Sequence, residues 1–426
     1  MMKQQLLTYL FAKSLIITGL LFLGVHLSAQ VTVLKPDQVF DGEQLRDNWL
    51  VLVEGDRITA AGSATTITIP QDATVIDLEG TLMPGMIEGH SHILLHPYNE
   101  TGWNDQVLVE SLTERVVRAT VHAKNTLMAG FTTIRDLGSE GAEYADVGIK
   151  KSIEKGIIPG PRMVVAGKAI VATGSYGPKG FAPHVKVPLG AEVADGHDNL
   201  IKVVRDQIGK GADVIKVYAD YRWGPYGQAM PTFTQEELAL MVQVANSSGR
   251  PVVAHAATAE GMKRATLAGV QTIEHGDGGT KEVFELMAAK GVALCPTIAA
   301  GDAISQYRGW NKGVDPEPTR IQNKRKSMKM ALAAGVPIVA GGDVGVFTHG
   351  ENVAELELMV EYGMSELAVL KTITAGNANL LGLKDFGVIK KDGMADLICV
   401  AGNPTADIKA LRKVKFVMKG GKIYKQ

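Results

Sequence analysis

Four histidines stand at the ends of short apolar runs: His90 and His92 in Gly89-His-Ser-His92, His255 in Val253-Ala-His255 and His275 in Ile273-Glu-His275-Gly276. Two apart on a strand, His90 and His92 point the same way and can share one metal ion. A lone histidine at a strand end is more often structural than a ligand, but four at equivalent positions reverse that expectation. Asp343, in Ala340-Gly-Gly-Asp343, offers a carboxylate that can bind metal and trade protons with a bound water. Lys216, inside Asp213-Val-Ile-Lys-Val-Tyr218, shares a face with Val214 and Tyr218 and so points either into the same interior or out toward helices. Outward, it is a lysine reaching solvent or pairing with an acid. Inward, an ammonium facing a histidine-bound dication would be repelled, so the group should be neutral or chemically converted.

Residues so far apart need a scaffold that makes strand ends converge. From about residue 110 to 345 one phrase recurs: an amphipathic stretch, a glycine, then a short β-branched run. Gly130, Gly211, Gly269, Gly291 and Gly335 each read as the end of a helix and the start of a strand. One helix is especially clear, with Thr234 and Glu237 as a capping box, Leu238, Met241, Val242 and Ala245 as its apolar stripe, and Gly249 and Pro251 as its stop. Alternation of this kind predicts parallel βαβ units. Eight strand candidates end near His92, Asp136, Ala166, Tyr218, His255, Glu274, Pro296 and Asp343. Eight favours a closed (β/α)8 barrel of the TIM type, whose C-terminal rim gathers chemistry from strands distant in sequence. An open doubly wound sheet shares the local pattern, but no glycine-rich dinucleotide or phosphate loop follows the first strand. The flanks, around Val51 to Ile58 and Val414 to Ile423, alternate about glycine-containing turns without helical period, and neither is large enough for its own core. They are expected to combine into one small β-sandwich domain, residues 30–84 plus 381–426, beside a barrel over 85–380.

Composition narrows the function. The 426 residues carry 44 basic and 45 acidic side chains, so no cationic excess exists to hold a phosphate backbone, and nucleic-acid binding is disfavoured. An apolar share of 46% supports a real core and excludes wholesale disorder. Residues 1–29 hold Lys3 and Lys13, an apolar run from Leu15 to Leu27 and Ser28-Ala29, which reads as a signal peptide cut before Gln30. The expected destination is outside the cytoplasm, in a bacterial periplasm or the medium, with no membrane attachment after cleavage. Cys295 and Cys399 sit in apolar runs and read as buried thiols rather than ligands.

The ordered set His90-x-His92, Lys216, His255, His275 and Asp343 resembles the metal-dependent amidohydrolase superfamily, in the binuclear subtype whose strand-four lysine is carboxylated and bridges two metals. The resemblance covers nearly the whole mature chain. It includes Met83-Pro-Gly-Met-Ile-Glu-Gly-His90, Asn377-Ala-Asn-Leu-Leu-Gly382 and Lys391-Asp-Gly-Met-Ala-Asp396-Leu. Gly130-Phe-Thr-Thr-Ile-Arg-Asp136, Ala254-His-Ala256, Gly269-Val-Gln-Thr-Ile-Glu-His-Gly276 and His349-Gly-Glu-Asn352 are similar to prolidase-like dipeptidases and imidazolonepropionase-like proteins. This implies that His90, His92 and Asp343 hold one divalent ion, that His255 and His275 hold the other, and that carboxylated Lys216 and a hydroxide lie between them. Imidazole and carboxylate ligands suit zinc, with manganese, cobalt and iron left open. Asp343 would take the proton of the attacking water and deliver it to the leaving amine.

The substrate is expected to be a small molecule with an amide bond, a dipeptide or N-acyl amino acid. Where prolidase-like relatives carry Thr-Gly-Gly-His, this chain has Thr173-Gly-Ser-Tyr176-Gly177, with a phenol in place of the imidazole that helps bind a carboxylate. Tyr176, Tyr218, Arg222 and His349 are the candidate substrate contacts. The Gly- and Pro-rich stretches from Gly167 to Gly196 and from Thr297 to Pro318 are the candidate lids. Three alternatives stay open: phosphotriester or lactone hydrolysis at the same site, a mononuclear deaminase or cyclic-amide hydrolase, and an inactive barrel that only binds. A homo-oligomer is compatible with all of them.

Overall fold

The computed structural model describes residues 30–426, so the leader expected over 1–29 lies outside the described residues. Local rules operate as the pattern predicts. The Thr234 hydroxyl accepts from Glu237 N and the Glu237 carboxylate from Thr234 N, starting helix Gln235–Asn246 with Leu238, Met241, Val242 and Ala245 buried. The five glycines at the helix-to-strand junctions have φ between 68° and 107°, the left-handed region that other residues enter only at a cost.

Parallel strands make two sheets. One holds Met86–Ser91, Phe131–Asp136 and Arg162–Val165; the other runs Glu192–Val193, Ile170–Val171, Ile215–Tyr218, Val252–Ala256, Thr272–His275 and Ala293–Cys295. Main-chain bonds join them on both sides. Val165 O accepts from Asp213 N at 2.8 Å, and residues 336–344 bridge in parallel to Leu294 through Ile338 and to Ser91 through Val344. The eighth strand expected to end at Asp343 is thus realised as two isolated bridges rather than a ladder. Glycine is required here by close approach, since a Cβ on Gly341 would lie 2.6 Å from His90 N and 2.8 Å from Cys295 Sγ.

Strand alternation sorts the faces. Val214 and Val253 cluster with Leu137 and Ala166, whereas Ile215, Val217, Ala254, Ile273 and Leu294 pack on helix residues including Leu238, Met241, Met262 and Phe284. Lys216 therefore lies on the inner face with Val214.

Both chain ends join in one sheet, ordered Lys422–Lys425, Val414–Lys419, Leu397–Val400, Thr74–Pro84, Thr32–Phe40, Trp49–Glu54 and Arg57–Ser63, with Leu45–Asp47 paired beside Thr32–Phe40. Hydrogen bonding is continuous across it, so the expected sandwich is a single sheet. Its two ends share a core, because Val51 and Val53 pack in one cluster with Leu397, Cys399, Phe416 and Met418. Of the two expected lids, Gly167 to Gly196 contains only the short strands Ile170–Val171 and Glu192–Val193. The other begins as helix Ile298–Tyr307 with Ile298, Ala299 and Ala300 buried, because that apolar stretch packs inward against residues such as Leu356 and Phe347. Among the described residues no helix is long and apolar enough to cross a membrane.

Candidate metal centre

His90 and His92 leave strand Met86–Ser91 with their tautomers already dictated. His90 Nδ1 lies 2.7 Å from Glu274 Oε2 and His92 Nδ1 lies 2.9 Å from the Gly138 carbonyl. Glu274, whose carboxyl is held well below its usual range, and the Gly138 carbonyl both only accept, so each Nδ1 carries hydrogen and each Nε2 presents its lone pair. The two Nε2 atoms face one another at 3.3 Å, and Asp343 Oδ1 lies 3.2 Å from that of His92 and 3.6 Å from that of His90. Three electron-rich atoms in van der Waals contact repel unless a cation sits among them. A tetrahedral zinc with donors at ~2.0–2.1 Å sets those donors about 3.3 Å apart, which is the spacing found. Short of a metal the cation is a proton: burial disfavours charge on His92, but the Asp343 carboxylate outweighs it and pushes the imidazole up to about 9. Burial would raise the Asp343 carboxyl, yet His90, His92 and Lys216 hold it well below the usual carboxylate range.

His255 and His275 form the opposite wall. The His255 ring stacks on Tyr218 with centroids 4.6 Å apart and meets His275 edge-on at 4.5 Å; His275 is 5.4 Å from the His90 ring. His255 Nε2 lies 3.6 Å from Asp220 Oδ1, a carboxylate fixed by the main-chain N–H groups of Ala257 and Thr258, so a proton on Nε2 leaves the lone pair on Nδ1. His275 Nδ1 is 2.7 Å from Thr297 Oγ1. Burial, reinforced by Lys216, brings His255 down to about 3; burial, reinforced by His255, takes His275 well below the ordinary range. Both imidazoles are neutral at physiological pH, the state in which histidine can bind a metal.

Lys216 is 1% exposed and has no hydrogen bond or ion pair with any described residue. Burial lowers its ammonium pKa, although Glu274 and Asp343 pull the other way. An orphaned buried lysine among histidines is a costly arrangement as an ammonium and a natural one as an anionic ligand.

Several residues that organise this centre escaped the sequence argument. Arg135, on the inner face of Phe131–Asp136, donates from Nη2 to Glu274 Oε1 at 3.0 Å, from Nη1 to Thr272 Oγ1 at 3.2 Å and from Nε to Gly89 O at 2.7 Å. The available signal was a charged residue inside each of two short strands, Arg135 in Phe131–Asp136 and Glu274 in Thr272–His275. Lys324, from helix Thr319–Ala333, donates to His275 O and Pro296 O at 2.7 Å each and pairs with Asp277. Nothing in its helical sequence context distinguishes it from a surface lysine.

The candidate substrate contacts separate. Tyr176, Tyr218 and Tyr221 pack with centroids 4.7 to 5.6 Å apart against His255, and Arg222 lies exposed over the Tyr221 ring at 5.3 Å. The Tyr176 phenol is spent on Glu140 Oε2 at 2.6 Å. His349 is not at the mouth: it donates from Nε2 to Leu95 O at 2.9 Å and stacks on His122 at 4.3 Å, because its loop folds against helix Leu112–Met128 behind His92. His96 is also occupied, by Glu100 and Glu110.

Residues 81–424 match the family model described as Amidohydrolase family. An ochratoxinase from Aspergillus niger is 30% identical over 439 residues, covering 93% of this chain and 87% of that protein. Among solved structures, a Xaa-Pro dipeptidase with bound methionine in its active site is 31% identical with a TM-score of 0.82, covering 93% of this chain and 100% of the other. A prolidase complexed with N-methylphosphonate-L-proline is 27% identical at the same score and the same coverages. Such fold neighbours imply a TIM-type barrel, with which the joined parallel strands agree.

Proposed function

From the premise that this chain belongs to the amidohydrolase family, a typically metal-dependent family of hydrolases, and itself acts on carbon–nitrogen bonds, we propose that it is an exported binuclear enzyme cleaving the amide of a dipeptide or N-acyl amino acid. The observation that carries the metal reading is the convergence of the His90 and His92 lone pairs on Asp343 Oδ1. His90, His92 and Asp343 would hold one ion and His255 and His275 the other. Lys216 would serve both after its neutral amine adds to carbon dioxide and releases a proton, becoming a carbamate. In this reading residues 85–380 form the (β/α)8 barrel, and 30–84 with 381–426 form the β domain. The amide is favoured by likeness to a dipeptidase, a prolidase and an ochratoxinase. Export rests on the leader pattern of residues 1–29.

Bound divalent ions, zinc being the best match to these donors, supply Lewis acidity toward the scissile carbonyl and acidify water. The remaining work falls to side chains. Asp343, kept ionised by its neighbours, accepts the proton that water loses on attacking the carbonyl carbon and returns it to the amide nitrogen as the carbon–nitrogen bond breaks. Glu274 keeps His90 in the tautomer that presents Nε2 inward, and Gly138 O does the same for His92. Arg222, at the rim, is the cation available for a substrate carboxylate.

The test is purification of the protein, metal analysis, and a screen of dipeptides and N-acyl amino acids. Two bound divalent ions and turnover of at least one amide are expected. Fewer than one ion per chain, or a fully loaded protein that hydrolyses no amide, would overturn the proposal.

A further inference from the structure

Glu140 is 3% exposed and stands on left-handed backbone, with φ of 47°. That conformation is clamped by buried Arg115, which spends its donors on main-chain carbonyls, those of Glu140 at 2.8 Å and of Ser139 and Leu94 at 3.2 Å. The fold thus invests a buried cation in holding this loop without pairing it to the carboxylate. Oε2 of Glu140 accepts from Trp103 Nε1 at 2.9 Å and from Tyr176 OH at 2.6 Å. Oε1 accepts from no described residue, and Glu140 has no ion pair among them. Oε1 and the His92 ring lie on the same side of Gly138, where an added Cβ would meet Glu140 Oε1 at 3.2 Å and His92 Cε1 at 3.5 Å. A carboxylate oxygen without a donor therefore lies alongside the His92 ring, at the edge of the metal centre. The walls beside it are aromatic: Trp103 meets Tyr176 edge-on at 5.3 Å, and Tyr176 leads to Tyr218 and Tyr221.

We infer that Glu140 Oε1 and these aromatic faces form a substrate subsite for a cationic nitrogen, an ammonium or guanidinium. The reading rests on the hydrolase proposed above and narrows its substrates. A carboxylate that lacks a donor is completed by a charged one, and ring faces favour cations over anions. The same arrangement excludes a substrate carboxylate from this position, because the Tyr176 proton is already engaged and Glu140 would repel the anion. That group is left to Arg222, over the Tyr221 ring.

The cation has two sources, a free amino terminus or a basic side chain. Matched pairs of substrates separate them: a free against an N-acetylated amino terminus, lysine against norleucine, and arginine against citrulline, the latter two on each side of the scissile bond. With the metal-loaded wild type, at least one pair should favour the cation roughly ten- to hundred-fold in kcat/KM, mainly through KM. In Glu140→Gln that ratio should fall toward one. Tyr176→Phe, which removes a competing donor, should keep or raise it. No pair differing by more than about two-fold, or a ratio unchanged in Glu140→Gln, overturns the subsite. Should Glu140→Gln fail to fold, the wild-type pairs and Tyr176→Phe decide. Should no amide be turned over, the proposed function fails while calorimetry still tests the subsite: n-butylammonium must bind the wild type more tightly than n-butanol, and equal binding overturns it.

Discussion

Replacing Glu274 by Gln preserves shape and removes one charge from a fully buried position. Glu274 accepts three hydrogen bonds, from His90 Nδ1, Arg135 Nη2 and Thr272 Oγ1. A glutamine has one oxygen and one NH2 to offer in their place. If the oxygen faces Arg135 and Thr272, the NH2 confronts His90 Nδ1, and the imidazole must take the opposite tautomer, pointing an N–H rather than a lone pair at Asp343. If the oxygen faces His90, the NH2 confronts a guanidinium that is 1% exposed and has lost its counter-charge. The second branch breaks a buried ion pair, a loss of about 3–5 kcal/mol. The first weakens metal affinity by roughly 10–100-fold, the usual effect of losing a group that orients a ligand. Urea unfolding of the metal-stripped proteins measures the first quantity, and titration against a competing chelator the second. The variant Arg135→Met should also destabilise, while Glu274→Gln with Arg135→Met should regain part of the stability, no unpaired charge being left, and none of the metal affinity. A Glu274→Gln protein with wild-type stability and wild-type metal affinity would refute the view that Glu274 sets the His90 tautomer.

Three further outcomes follow from the same geometry. Asp343→Asn should lower kcat on amides by roughly 10²–10⁴-fold and on activated esters by much less, because an ester leaving group needs no proton; equal losses, at matched metal content, would remove Asp343 from proton delivery. Lys216→Ala should reduce the metal measured per chain from two toward one or none, and wild-type protein under native mass spectrometry should carry the added mass of one carbon dioxide that Lys216→Ala lacks; identical metal content in both would argue against a bridging role. Far from the centre, Lys419 is partly buried against Gly160 O and near Arg162, and burial followed by that charge brings its ammonium from 10.5 down to about 8. The folded state then binds fewer protons than the unfolded one between these values, so stability rises with pH across this window. A shift of this size corresponds to at most about 3 kcal/mol, and solvent screening reduces it to about 1–2. Thermal melts of wild type should show this rise and those of Lys419→Met should not; parallel pH profiles would contradict it.

What the sequence made legible was whatever local chemistry decides. Thr234 and Glu237, three residues apart ahead of an apolar stripe, cap a helix by local geometry alone, and Gly211 or Gly269 enter left-handed backbone because only glycine does so cheaply. The six residues expected to carry metal chemistry lie together because His90, Lys216, His255 and His275 stand on parallel strands, His92 and Asp343 next to bridged strand residues, and parallel strands share a rim. Lys216 could not be oriented from its own strand, since period-two alternation names two faces without saying which is inside; packing of Ile215 and Val217 on helices decides it. His349 was misjudged for a related reason. Its position after the last strand placed it near the mouth in sequence, whereas its ring is consumed by His122 and Leu95 O, contacts to a helix and a loop more than 200 residues away. Glu140 and Lys324 were invisible because their environments are built wholly by distant segments.

The most instructive failure of alternation is at Glu274 and His275, adjacent residues that both reach the centre. On a regular strand they face opposite ways, with His275 joining Ile273 against the helices. Instead His275 takes φ of 77°, which turns its ring back beside His255. Left-handed backbone at such a residue costs on the order of 1–3 kcal/mol, and it persists only where surrounding contacts over-determine it. Lys324 provides them: its buried ammonium holds the His275 and Pro296 carbonyls, and each hydrogen bond to a charged donor is worth about 1.5–3 kcal/mol. Of the eight non-glycine residues with positive φ among the described residues, Glu140, His275, Thr297 and Asp343 all border this centre. Backbone strain is therefore concentrated where functional side chains must leave the faces that strand geometry assigns them. Lys324, on an outer helix, and Arg115, on another, thus restrain backbone at the edge of this centre, Lys324 at His275 and Arg115 at Glu140.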